Sequence, residues 1–170
     1  MPLLKNGKPV DDVWAFVEDG NELSPGGCFT VSLSRFLSEH DMLLGRNEAV
    51  GVRLEPADDP ALLAEHLDRL HLIEVAFPKY TDGRGYSIAN LLRRRLGYAG
   101  ELRAVGQVLR DQLNFMVRTG FDAVVLNGDD AEEAYRDATA YFSEVYQASA
   151  DERETVFQKR HKKKTSQKVA

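Results

Sequence analysis

Between residues 77 and 87 the chain collects side chains able to hold a small anion. Lys79 and Arg84 bring positive charge, and a guanidinium can grip an oxyanion through two parallel hydrogen bonds. Gly83 and Gly85 let backbone amides approach a ligand closely. Ser87 is suited to cap a following helix, whose first free amides attract anions. Tyr86 adds a hydroxyl and Asp82 a group that could move a proton. Such a loop would suit phosphate, sulfate, sulfite or a carboxylate. The same residues also make an ordinary turn, in which Arg84 pairs with Asp82 and Ser87 caps a helix without any ligand. The loop is neither a P-loop nor a dinucleotide fingerprint, because the third residue after Gly85 is Ile88.

Two further residues qualify for chemistry. Arg103 falls inside an apolar stretch that reads as a buried strand, where a lone guanidinium is costly. It therefore either pairs with Glu101, two positions away on the same face, or faces a polar site at the strand end. Asp111 follows Gly106 beside Gln112 and is either solvated with Arg110 and Asn114 or an acid or base. Asp82, Arg103 and Asp111 are thus the candidate catalytic groups.

Other chemistries find little support. His40, His66, His71 and His161 show no metal-ligand spacing, so no metal site is expected. The single cysteine, Cys28, rules out an internal disulfide and a self-contained cysteine-ligated cluster. No Gly-x-Ser-x-Gly elbow occurs. The Arg93, Arg94 and Arg95 run goes most of the way around a helix and reads as solvation.

The elements that would position these residues alternate. Strands are expected at 28–33, 49–54, 72–77, 102–105 and 123–126. Helices are expected at 34–44, after Asp58 or Asp59 with Pro60 in the first turn, from Ser87 to a stop at Gly97, at 107–119, and from Ala131 into the tail. In the last of these, Ala134, Ala138, Tyr141, Phe142 and Val145 should face inward. Residues 1–27 read as an extended or hairpin-like lead-in, with turn signals at Asn6-Gly7 and at residues 24–27. Short connections between strand and helix imply parallel pairing. The expected fold is an α/β domain over residues 28–147, with a mostly parallel, open sheet of about five strands and helices packed on it. It could carry the local geometry of part of a barrel. Ligands in such sheets bind beyond the carboxyl ends of the strands.

The chain has 170 residues, 43% of them hydrophobic and 29% charged, enough for one domain with its own core. No apolar run is long enough to span a bilayer, and the N-terminus lacks a secretory pattern, so a cytoplasmic location without membrane contact is expected. The net charge of −5 is unevenly placed. Six bases lie from Lys159 onward without any acid, leaving 16 bases against 27 acids in the body. Residues 148–170 read as a helix end and a basic, disordered tail. Nucleic-acid binding is disfavoured, since no aromatic beyond Phe157 could stack on bases.

Residues 77–87 are followed by Leu92-Arg93, Gly97-Tyr98, the run 100–106 and the run 108–112. With Gly120-Phe121-Asp122, Tyr146-Gln147, and the early Val10-Asp11-Asp12 with Trp14, they make a specific combination. Over about residues 3–147 the chain resembles the bacterial domain-of-unknown-function family 934. Proteins of that family are often labelled oxidoreductases and are typically encoded beside assimilatory sulfite reductase. The resemblance therefore implies a part in sulfur metabolism, with sulfite reductase or its electron donor as partner and a small oxyanion as ligand. Nothing in the residues would hold a redox cofactor, so a partner would supply it. Two roles follow: a non-catalytic accessory protein of sulfite reduction, or a small enzyme acting on a sulfite-, phosphate- or carboxylate-bearing substrate. Self-association into a homo-oligomer is compatible with both.

Overall fold

The computed structural model describes residues 2–126, 128 and 130–168. Its first element follows from Asn6-Gly7. Both residues hold positive φ (51° and 78°), the backbone of a two-residue hairpin turn. They join β1 (Leu3–Lys5) to β2 (Lys8–Val10). β3 (Trp14–Phe16) and β4 (Cys28–Ser32) come next. The Ser32 hydroxyl accepts from Arg35 N at 3.1 Å and so caps α1 (Leu33–Leu44). β5 (Val50–Leu54) leads into two 3₁₀ turns, Pro60–Leu63 and Leu67–Arg69. β6 (Leu72–Phe77), α2 (Arg84–Arg94) and β7 (Glu101–Gly106) form the centre. A 3₁₀ turn at Arg110–Gln112 opens α3 (Leu113–Thr119), which Gly120 ends with φ of 107°. β8 (Ala123–Val125), α4 (Ala131–Ala140) and α5 (Val156–Lys168) complete the chain.

All eight strands belong to one sheet, ordered β2-β1-β8-β7-β6-β5-β4-β3. β3 to β8 run parallel in sequence order, while β1 is antiparallel to both β8 and β2. The fold is thus α/β with an open sheet, but the sheet has eight strands rather than about five and is mixed rather than mostly parallel. The three additional strands are each three residues long, too short for an alternating pattern to register.

The sheet curls into a half-barrel. Its two edge strands, β2 and β3, are joined by residues 11–13 alone, so Val10 and Trp14 stand no more than ~14 Å apart. Alternate strand residues, among them Val31, Val52, Ile73, Val75, Phe77, Leu102 and Ala104, share one core with Phe36, Leu63, Leu92, Leu113 and Met116. The intervening residues, including Thr30, Arg53, Glu74 and Arg103, point to the opposite, concave side by strand alternation.

Two helices differ from expectation. Residues 60–69 form 3₁₀ turns instead of an α-helix; at about 2 Å rise per residue they reach further with the same residues. α4 stops at Ala140, leaving Tyr141 79% and Phe142 55% exposed rather than inward. Asn114 Nδ2 donates to the carbonyls of Ala138 and Thr139, and Arg153 to those of Phe142 and Ser143. Side chains thus satisfy carbonyls that a longer helix would have bonded internally. The basic stretch at the end is helical over Val156–Lys168. No helix among the described residues is long and apolar enough to cross a membrane.

Candidate functional site

The loop after β6 is built around an internal ion pair. Asp82 Oδ1 accepts from Arg84 N at 3.1 Å and from Arg84 Nε at 3.0 Å, and Oδ2 accepts from Arg84 Nη2 at 2.7 Å. The Arg84 side-chain hydrogen bonds, with the backbone one, hold the Asp82 carboxyl down at about 2. Asp82 in turn raises Arg84. An acidic side chain therefore already occupies the start of α2, where an external anion would be placed. Lys79 is exposed and adds a weaker field on Asp82.

Gly85 and Ser87 do different work from that expected. α2 begins at Arg84 with Gly83 preceding it, so Ser87 is the fourth helical residue, exposed and not a cap. Gly85 is buried, and a Cβ there would meet the Phe77 ring at 2.6 Å. Its small size serves helix–sheet packing rather than an approach to a ligand. Tyr86 packs between Phe77 and Phe115, with ring centroids 5.2 and 4.9 Å away. Burial, and after it the negative charge of Asp111, raises the Tyr86 hydroxyl above its ordinary range.

Two glutamines tie this loop to the one after β7. Gln112 Nε2 donates to Tyr80 O at 2.7 Å, and Tyr80 N donates to Gln107 Oε1 at 3.4 Å. Beyond them lies a groove of about 630 Å³ lined by Arg110, Asp111, Asn114, Asp137, Ala138, Tyr141 and Phe142. Arg110 donates to Asp137 at 3.1 Å across it. Asp111 lines this groove instead of meeting Arg103.

Arg103 stands on the concave face, 2% exposed. Glu101 Oε1 accepts from its Nε at 3.0 Å and its Nη2 at 2.7 Å, and Asp12 Oδ1 accepts from Nη1 at 2.9 Å. Glu74, paired with Arg103 in the strand register, lies 3.8 Å from Nη1 and also receives Arg53 Nε at 2.8 Å and the Thr30 hydroxyl at 2.9 Å. Lys5 Nζ reaches Glu101 at 2.7 Å. Burial pushes Glu101 up, but the hydrogen bonds from Lys5 and Arg103 outweigh it and hold the carboxyl below its ordinary range. Burial likewise opposes the charge on Arg103, and its carboxylate partners overcome that.

Of the three candidate catalytic residues, then, Asp82 is engaged by Arg84, Asp111 lies at the groove, and Arg103 belongs to a separate ionic layer. Arg103 and Glu101 are legible in the sequence as a pair, whereas Lys5, Asp12, Arg53 and Glu74 join them only in the fold. Glu74 carried the same signal, a charge amid the apolar run of β6. Asp12 stands in the Val10-Asp11-Asp12 run that the family resemblance uses, but its pairing with Arg103, 91 residues away, has no local signal. Among the described residues no group of three or more His, Cys, Asp or Glu side chains could hold a metal ion.

A family model described as "Bacterial protein of unknown function (DUF934)" matches residues 51–157, more than half the chain. Neither a curated protein nor a solved structure matches it.

Proposed function

The chain belongs to the DUF934 family of bacterial proteins of unknown function, and we propose that it is a non-catalytic accessory protein of sulfite reduction that docks onto the reductase or its electron donor. The exposure of Tyr141 and Phe142 beside the groove carries this reading. Aromatic side chains left open at the rim of a groove mark surfaces for a protein partner. The charged groups that a reaction would need are instead engaged with one another, Asp82 with Arg84 and Arg103 with Glu101 and Asp12. The acidic body would steer a basic partner surface toward the groove. The sulfur setting comes from the gene neighbourhood implied by the resemblance.

Lys79 and Arg84 supply the oxyanion contact of the same reading, an anion entering by exchange with Asp82. That exchange makes binding weak, and Arg84→Ala should abolish it in a sulfite titration. The principal test is genetic. A deletion strain should grow poorly on sulfate or sulfite and normally on cysteine. A Tyr141→Ser, Phe142→Ser chain, folded but altered at the groove, should fail to restore growth, whereas Asp111→Asn should restore it. Full growth of the deletion strain on sulfate would sink the assignment.

A further inference from the structure

The end of α2 and the start of α5 border a cleft of about 400 Å³, lined in part by Arg93, Arg94, Ser149, Glu152, Arg153 and Gln158. Three arginines thus meet one carboxylate, in a chain whose net charge is −5. The chain uses these arginines unequally. Arg93 is fully engaged: Nε donates to Gly120 O, Nη1 to Tyr98 O and Gly100 O, and Nη2 pairs with Asp122. Arg153 spends only Nη2, which donates to Phe142 O at 3.2 Å and to Ser143 O at 2.9 Å. Those two bonds fix the guanidinium and leave its Nε and Nη1 open. Arg94 is exposed and has no partner among the described residues. The acids on either side of the cleft's own, Asp151 and Glu154, pair with Arg118 and Lys162. Glu152 therefore stands alone against Arg94 and Arg153. Gln158 lies in the first turn of α5, and Thr155 N donates to its Oε1 at 2.7 Å, which leaves Nε2 as a donor.

We propose that this cleft binds a phosphate group, either free or carried as a monoester on a small molecule. Arg94 and Arg153 supply charge-assisted hydrogen bonds, the strong class for a phosphate oxygen. Arg153 is already held in place by two carbonyls, so it loses little freedom when a ligand arrives. The Ser149 hydroxyl and Gln158 Nε2 add neutral donors, and the N-terminal end of α5 adds its dipole. The cleft falls within the ~300–1,000 Å³ of small-molecule pockets, so it has room for the rest of an ester. Glu152 opposes a dianion and sets the affinity below what the arginines alone would give. The site is separate from Lys79 and Arg84. Arg84 begins α2 and Arg94 ends it, about 15 Å along the helix. The proposal goes beyond partner docking and does not depend on it.

Hydrogen exchange on the full chain reads this cleft directly, because a phosphate bridging α2 and α5 should slow exchange over residues 149–158. Inorganic phosphate should do so saturably, while sodium chloride at equal ionic strength should not. Phenyl phosphate is the second probe. A half-saturating concentration below that of inorganic phosphate assigns the site to an ester, and an equal one to the free ion; both support it. Arg94→Ala, a change at an exposed position, should raise the half-saturating concentration about tenfold or more. Glu152→Gln should lower it about threefold. Arg84→Ala should leave it unchanged, which separates this cleft from the loop after β6. Exchange over residues 149–158 that ignores phosphate, that responds equally to chloride, or that is indifferent to Arg94→Ala would overturn the proposal.

Discussion

Glu101 shows how a single side chain ties the concave layer to pH. It receives hydrogen bonds from both Lys5 and Arg103, and its folded carboxyl titrates below the ordinary 4.5. As pH falls, the unfolded chain therefore takes up this proton first. The stability Glu101 contributes is complete above about 4.5 and is lost as pH falls through the depressed folded value. Glu101→Gln should cost on the order of 3 kcal/mol at pH 7, since it leaves Arg103 short of a partner. Urea denaturation should show that cost shrinking at pH 3; a constant difference would contradict the linkage. Gly85 offers a prediction of opposite character. A glycine inside an exposed helix normally gains ~1 kcal/mol on conversion to alanine. Here the added Cβ would press on the fully buried Phe77 ring, so Gly85→Ala should instead lose ~1–3 kcal/mol. Gly83→Ala, whose Cβ would approach nothing closer than 3.8 Å, should be near neutral. This pair also marks a limit of the sequence reading. Two glycines flanking Arg84 looked equivalent, yet one is a surface residue and the other a packing site. The buried face of α2 begins at Gly85 and continues through Ile88, Ala89 and Leu92. Counting Gly85 as turn hid the first residue of that face and placed the helix start three residues late.

At the scale of elements, the five strands β4 to β8 were legible because each is a run of apolar residues between turn signals. Of β1 and β2 the hairpin turn at Asn6-Gly7 was legible and the strand bounds were not, and β3 was not legible at all, because strand pairing and not local pattern defines three-residue strands. The end of α4 was equally hidden: Asn114 and Arg153, distant in sequence, take up the carbonyls near Tyr141 and Phe142. The two strand-end loops depend on a similar side-chain device. Gln112 accepts from Leu109 N at 3.2 Å through Oε1 while donating to Tyr80 O, so one amide serves both loops. Gln112→Ala should remove about 1 kcal/mol locally, or roughly a fivefold increase in opening. Hydrogen exchange should quicken at Leu109 and through residues 79–84, with β6 and β7 unchanged. Quickening spread evenly over the sheet would mean that the glutamine supports the whole fold and not the loops.

For the whole molecule, the matched family region and the folding unit have different limits. The match begins at residue 51, after β1 to β4 and α1. Those earlier elements supply Leu4, Phe29, Val31, Phe36 and Leu43 to the single core. β1 also covers the edge of β8, with Leu126 N donating to Pro2 O and Asn6 N to Asp122 O. Removing them would uncover two edges of parallel sheet and leave Glu74 without the Thr30 hydroxyl. A fragment of residues 51–157 should therefore show no cooperative thermal transition and should aggregate, although it holds the whole matched region. The opposite end behaves differently. α5 is joined to residues 144–155 through Val156 N to Val145 O, the Phe157–Tyr146 ring contact and Lys159 with Glu144. The ion pair is exposed and so contributes little. A chain ending at Thr155 should keep a cooperative transition within about 1 kcal/mol of the full protein. Circular dichroism melts of the two truncations compare them directly. Cooperative folding of 51–157 would show that the early strands decorate a self-sufficient core; its failure, beside a stable 1–155 chain, would show that the curled sheet needs both of its edges to exist.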